Sequence, residues 1–205
     1  MSANTIEINR QMDRFAGHHS VWVFGYGSLI YKADFPYLQR RPASIEGWSR
    51  RFWQGSHDHR GTPAAPGRVV TIIAEAGAVC HGMAYLITPE VFEHLDYREK
   101  NGYLRVAVEM AFDDAAAATD RATQAAQAAE GVVYVAREDN EAFLGEASEE
   151  EIARHIARSA GPSGPNSDYL THLAIALREL GKHDAHVFTI EQYLLELIAS
   201  AKIKD

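Results

Sequence analysis

Apolar residues are distributed in two ways along this chain. Up to about residue 136 they come as short runs broken by glycine and polar clusters; beyond residue 148 they recur three and four positions apart. Val21-Trp22-Val23-Phe24 predicts a strand that stops at the loop Gly25-Tyr26-Gly27-Ser28 and resumes at Leu29-Ile30-Tyr31. Ser44 to Gln54 predicts a second strand. Arg68 to Ala74 and Val79 to Ile87, separated by Glu75-Ala76-Gly77-Ala78, predict an antiparallel hairpin. Thr88 as N-cap and Pro89 at the first helical position predict a short helix reaching about Tyr97. Asn101-Gly102 then turns the chain into a strand from Tyr103 to Phe112. The alanine-rich stretch 113–130 reads as an inserted surface loop or marginal helix before a strand at Val132 to Ala136.

The last third follows the helical period. Ser148 with Glu151 forms a capping box that opens a helix over Glu149 to Ser159, broken by Gly161-Pro162-Ser163-Gly164-Pro165. Ser167 is expected to cap a second helix carrying Leu170, Leu173, Leu177 and Leu180, which Gly181 ends. Thr189 with Gln192 predicts a third start. Strands first and helices last give an α+β chain with a small, mostly antiparallel β-barrel flanked by helices, the helices concentrated in the C-terminal third. A single domain over residues 1–205 is expected, with 1–19 as a flexible tail.

Composition narrows the class without choosing a chemistry. The 205 residues are 46% hydrophobic and 23% charged, ordinary for a globular chain with a sizeable core. A formal net charge of -8, from 20 basic and 28 acidic residues, disfavours nucleic acid and anionic lipid as partners. The single cysteine, Cys80, forms neither an intramolecular disulfide nor a thiolate cluster, in keeping with a reducing compartment. Met1 to Arg14 is too polar for a signal peptide, and no apolar run reaches the roughly 20 residues of a spanning helix. The expectation is a soluble, cytoplasmic protein without nucleic acid or membrane as partners.

Two segments carry candidate chemistry. Gly25-Tyr26-Gly27-Ser28 lacks the third glycine of a dinucleotide fingerprint and the Gly-Lys-Ser/Thr of a P-loop. Two glycines one residue apart still let backbone N–H groups converge on an oxygen, although for the tetrapeptide alone a ligand-free turn is the commoner outcome, since glycine turns outnumber such nests. In Asp96-Tyr97-Arg98-Glu99-Lys100-Asn101-Gly102-Tyr103, Glu99 sits where the chain reverses between two tyrosines. Desolvation there would raise its proton affinity toward that of a general base, with Arg98 and Lys100 expected to point outward. The bland alternative is a solvated helix-end charge. His57 and His59, at i and i+2, lack the further ligands that a metal site needs.

Longer blocks go further. Val23-Phe24-Gly25-Tyr26-Gly27-Ser28-Leu29-Ile30, Asp34-Phe35-Pro36-Tyr37, Arg50-Arg51-Phe52-Trp53-Gln54-Gly55-Ser56, Asp58-His59-Arg60-Gly61, Pro66-Gly67-Arg68-Val69-Val70-Thr71, Arg98-Glu99-Lys100 and Gly161-Pro162-Ser163-Gly164 resemble, in order, the ChaC family of γ-glutamylcyclotransferases. The resemblance implies a helix-flanked barrel and cofactor-free cleavage of reduced glutathione to 5-oxoproline and cysteinylglycine. It further implies a substrate-binding segment over Val23, Phe24, Gly25, Tyr26, Gly27, Ser28 and Leu29, with Glu99 as catalytic acid/base. Tyr31, Tyr97 and Pro165 depart from the family pattern, and none of them removes a catalytic group. Arg51 and Tyr103 are second-rank candidates for carboxylate pairing and pocket wall. Two alternatives stay open: a cyclotransferase for other γ-glutamyl amino acids or amines, and a non-catalytic γ-glutamyl-binding protein.

Overall fold

The computed structural model describes residues 4–12, 14–113 and 128–202. Five strands close a barrel in the order β1-β3-β2-β4-β5: β1 (Val21–Gly25), β2 (Gln39–Ser56), β3 (Gly67–Ile87), β4 (Tyr103–Phe112) and β5 (Ala128–Ala136). The β1–β3, β2–β4 and β4–β5 pairs are antiparallel, and β1 closes on β5 in parallel. The order of strands and late helices agrees with the hydrophobic pattern. Four of the five β1 residues are buried and Trp22 is half-buried, in keeping with a continuous apolar run rather than an alternation.

By contacts the chain divides into two compact units, residues 1–49 with 72–141 and residues 50–71 with 142–205. The first contains β1, β4, β5, helix α1 (Ile6–Arg10), a 3₁₀ turn (Ser28–Ile30) and helix α2 (Val91–Arg98). Its interior is Val23, Phe24, Ile45, Tyr85, Leu95, Met110, Val132 and Val133. Residues 4–12, expected within a flexible tail, are docked: Thr5 donates its N–H to the Lys100 carbonyl at 3.0 Å, and Asn4 bridges Asn101.

The second unit holds helices α3 (Glu149–Arg158), α4 (Asn166–Glu179) and α5 (Ala185–Lys202), with the short hairpin β6 (Ala160–Gly161) and β7 (Gly164–Pro165). Phe52, Ile152, Ile156, Leu170, Leu173, Leu177 and Ile190 form its core. Arg50 is buried there in an ion pair with Asp184. Asn166 brackets Arg68, accepting its N–H at 2.7 Å and donating to its carbonyl at 2.8 Å. A Cβ on Gly61 would lie 2.0 Å from the Gly67 nitrogen, so the polar loop closes only with glycine there.

Several boundaries differ from the pattern for identifiable reasons. The expected hairpin across Glu75-Ala76-Gly77-Ala78 is one continuous strand, since β3 pairs with the long β2 and the reversal occurs in 57–66, tightened by paired Thr62 and Ala65. Leu29 and Ile30 form a 3₁₀ turn rather than a resumed strand. Helix α2 starts at Val91 because the Thr88 and Pro89 carbonyls first close a turn onto Val91 and Phe92. Helix α4 starts at Asn166, and α5 starts after Asp184, whose carboxylate accepts the Val187 N–H at 3.1 Å and leaves Thr189 inside the helix. The capping box at Ser148 forms as expected. Strand β5 begins at Ala128, and residues 114–127 of the alanine-rich stretch lie outside the described residues.

Candidate active site

The glycine loop leaves the barrel where β1 ends. Val23 and Phe24 are fully enclosed, their backbones in register with Tyr85 and Ala84 on one side and Val132 and Val133 on the other. After Gly25, still paired with Met83, the chain leaves the ladder, and the 3₁₀ turn is closed by Ile30 N–H donating to the Gly27 carbonyl at 3.0 Å. A Cβ on Gly25 would stand 2.5 Å from Leu29 Cβ, so the loop folds back on itself only because that atom is missing. Two tyrosines pin it: Tyr26 donates to the Tyr134 carbonyl at 2.7 Å, and Tyr85 donates to the Leu29 carbonyl at 2.6 Å. Burial raises the Tyr85 phenol above its ordinary value, keeping it a donor.

Glu99 caps the C-terminal end of α2, its N–H donating to the Leu95 carbonyl at 2.8 Å. Its side chain is 19% exposed, and Oε1 lies 3.2 Å from Arg98 Nε. Arg98 is the principal departure from the sequence expectation. It points inward: Nη2 donates to Ser28 Oγ at 2.8 Å, Nη1 pairs with Asp34, and Nε faces Glu99. One guanidinium therefore connects the glycine loop with the candidate base. By accepting from Arg98, Ser28 leaves its own O–H to donate to a bound oxygen. Lys100 does point outward, its ammonium 3.9 Å from the Tyr97 ring centre. Tyr97 is 64% exposed, so it does not supply the aromatic shielding expected for Glu99.

Beneath Glu99 lies a network that sequence reasoning did not single out. Asp96, one turn earlier on α2 and buried, pairs with Arg105 of β4 and accepts from Tyr134 Oη of β5 at 2.7 Å. Burial foremost, then the Asp96 and Glu99 charges, pushes the Tyr134 phenol far above its ordinary range, so it stays protonated. The i, i+3 spacing of Asp96 and Glu99 on one helix face is the signal that could have found it. Burial of Val91, Phe92, Leu95 and Asp96 packs α2 into the unit, and Glu99 follows directly at its C-terminal end. A cavity of about 440 Å³ borders the same network through Asp96 and Arg105 but is not lined by residues 23–29 or Glu99.

The second-rank candidates are placed elsewhere. Tyr103 opens β4, and its carbonyl accepts from Asn9. Arg51 belongs to the second unit, donating to the Arg50 carbonyl at 2.9 Å and lying over Trp53. Arg98 bonds the glycine loop at Ser28, and Arg40 of β2 donates to the Ile30 carbonyl of the 3₁₀ turn at 3.0 Å. His59 meets Ser163 Oγ at 3.1 Å, a contact between its polar loop and the β6–β7 hairpin.

Comparison with known proteins gives a consistent set. The model of the family described as ChaC-like protein matches residues 21–197. A relative named gamma-glutamylcyclotransferase 2-3, from Arabidopsis thaliana, is 41% identical over 91% of this chain and 94% of its own. Glutathione-specific gamma-glutamylcyclotransferase 1 of Danio rerio is 40% identical over 92% and 96%. A solved yeast γ-glutamyl cyclotransferase specific to glutathione superimposes with a TM-score of 0.77 at 34% identity, over 87% of this chain and 97% of that one.

Proposed function

The chain belongs to the ChaC family, and on that premise we propose that it is a γ-glutamylcyclotransferase that cleaves reduced glutathione to 5-oxoproline and cysteinylglycine. The observation that carries the reading is the Ser28–Arg98–Glu99 contact, which holds a donor loop and a carboxylate within the span of one side chain.

The reaction needs no enzyme nucleophile. The α-amine of a γ-glutamyl group reaches its own γ-carbonyl carbon, and the new C–N bond closes a five-membered ring. The enzyme has to fold the substrate, supply a base and stabilise the oxyanion. In this reading the backbone N–H groups of Gly25 to Leu29 and the Ser28 hydroxyl hold substrate oxygens, while Val23 and Phe24 contribute by anchoring the loop in the barrel. Glu99 takes one proton from the ammonium group, the ring nitrogen gives up a second as the new C–N bond forms, and both pass to the cysteinyl nitrogen, which departs as an ammonium when the γ-amide C–N bond breaks. Atoms balance without water, metal or cofactor. The Arg98 guanidinium lends the loop the positive potential that an anionic substrate requires of a chain carrying net charge -8. The same reading takes the protein as a cytoplasmic monomer.

Incubation with reduced glutathione alone is expected to release 5-oxoproline and cysteinylglycine in equal amounts; no product at high enzyme concentration rejects the proposal. The alternative is a cyclotransferase for other γ-glutamyl amino acids or amines. Parallel assays with γ-glutamyl-alanine and oxidised glutathione separate the two, since comparable turnover of γ-glutamyl-alanine supports the broader one.

A further inference from the structure

Whether Arg98 helps or hinders a base at Glu99 depends on what else binds the guanidinium. A cation 3.2 Å from a carboxylate favours its ionised form and weakens it as a base. Asp34, in the segment between the 3₁₀ turn and β2, pairs with Nη1 of the same guanidinium, and His94 Nε2 of α2 stands 3.5 Å from the Asp34 carboxylate. Partial burial pulls the Asp34 carboxyl up, but the Arg98 cation, its hydrogen bonds and His94 outweigh this and hold it below the ordinary aspartate value. It is therefore a full negative charge at neutral pH.

Other charged groups near Arg98 and the 3₁₀ turn have partners of their own among the described residues, Arg40 donating to the Ile30 carbonyl at 3.0 Å. Asp96 and Arg105 are paired with one another, Tyr134 of β5 stays a neutral phenol, and Lys100 lies over Tyr97. Lys32 approaches through its backbone carbonyl, 3.4 Å from Arg98 Nη1. The guanidinium is a planar fork, so a carboxylate on Nη1 sets the directions of the other two nitrogens. With Asp34 in place, Nη2 meets Ser28 and Nε meets Glu99.

We propose that Asp34 is a positioning residue for this reaction: it offsets the Arg98 charge that Glu99 would otherwise face and aims the guanidinium at Ser28. The proposal rests on the cyclotransferase reading above. Asp34 touches no reacting atom in this role and acts through Arg98.

The test compares pH profiles of kcat/KM on reduced glutathione for the wild type, Asp34→Asn, Asp34→Glu and Arg98→Gln, each checked for folding by circular dichroism. Asp34→Asn keeps shape and one acceptor but removes the charge. Its acid limb is expected about one pH unit lower, with a plateau down roughly tenfold, because Glu99 becomes a weaker base. Arg98→Gln is expected to move the limb the opposite way, and Asp34→Glu to return it toward wild type. A merely structural role would lower the rate without moving the limb, so coincident limbs overturn the proposal. Carboxyl ¹³C NMR of glutamate-labelled protein, with Glu99→Gln assigning the Glu99 resonance, gives a readout without turnover. A lower Glu99 midpoint in Asp34→Asn supports the charge-offset role even if glutathione is not cleaved, and an unchanged midpoint rejects it even if glutathione is.

Discussion

Asn9 accepts the backbone N–H of Arg105 on its side-chain oxygen at 2.8 Å, while its amide nitrogen donates to the Tyr103 carbonyl at 3.0 Å. A residue ahead of the family-matched region thus clamps the strand start that follows Glu99. Asn9 is 2% exposed, so truncation leaves a donor and an acceptor unsatisfied. Asn9→Ala is expected to cost about 1–3 kcal/mol of stability, read by urea unfolding, and to lower kcat more than it changes KM.

Glu99→Gln preserves size and removes the carboxylate proposed as the base. Turnover of reduced glutathione is expected to fall by about 10² to 10⁴ while calorimetric binding of the substrate persists. Near-normal turnover in that variant would transfer the acid/base role to another residue.

The network under Glu99 predicts an order of stabilities. Arg105→Met leaves the Asp96 charge buried without its cation and is expected to cost about 3–5 kcal/mol. Tyr134→Phe removes one hydrogen bond to Asp96 and is expected to cost about 1–3 kcal/mol. Chemical denaturation of both variants checks the order; a larger loss in Tyr134→Phe would mean that the ion pair is not what anchors α2.

The second unit carries a pH dependence of its own. The Phe52 N–H donates to His186 Nε2 at 3.0 Å, so the ring proton sits on Nδ1 toward Glu149. Burial lowers the His186 value below 6.5, and burial likewise lowers that of His155. Both are neutral in the fold and bind protons more readily when unfolded. Their contribution to stability is therefore complete above about pH 6.5 and is lost as pH falls through the lowered native values. Unfolding midpoints between pH 8 and pH 5 should decline, and His186→Gln should flatten that decline while losing stability at pH 8.

Gly102 stands at φ +90°, and a Cβ there would lie 2.6 Å from the Asn140 side chain. Gly102→Ala combines a left-handed backbone with a clash next to Glu99. About 1–3 kcal/mol of destabilisation and a reduced kcat are expected, measured by thermal unfolding and the 5-oxoproline assay.

Local signals were sufficient for much of this chain. The β1 run, the strand Tyr103–Phe112, the Ser148 capping box and the stop at Gly181 are set by residues within one turn or one pleat of each other. The glycine loop and Glu99 were likewise visible, because a Gly-x-Gly turn and a carboxylate at a chain reversal are local features. The hairpin at Gly77 and the helix start at Thr189 went the other way. Each had competent local chemistry, but a distant partner, β2 in one case and the Asp184 cap fixed by its pair with Arg50 in the other, offered more.

The sequence by itself determined which chemistry was available: an acidic chain, a glycine loop, one well-placed carboxylate and a set of blocks in family order. Tertiary structure decided how that carboxylate is held. Arg98 could have been a solvated helix-end cation, and Asp96 an ordinary helix carboxylate. Barrel closure brings Ser28 and Asp34 to the first, and Arg105 and Tyr134 to the second. Charges separated by 9 to 64 residues in sequence become neighbours only when the chain folds, and electrostatic interaction depends on that spatial distance.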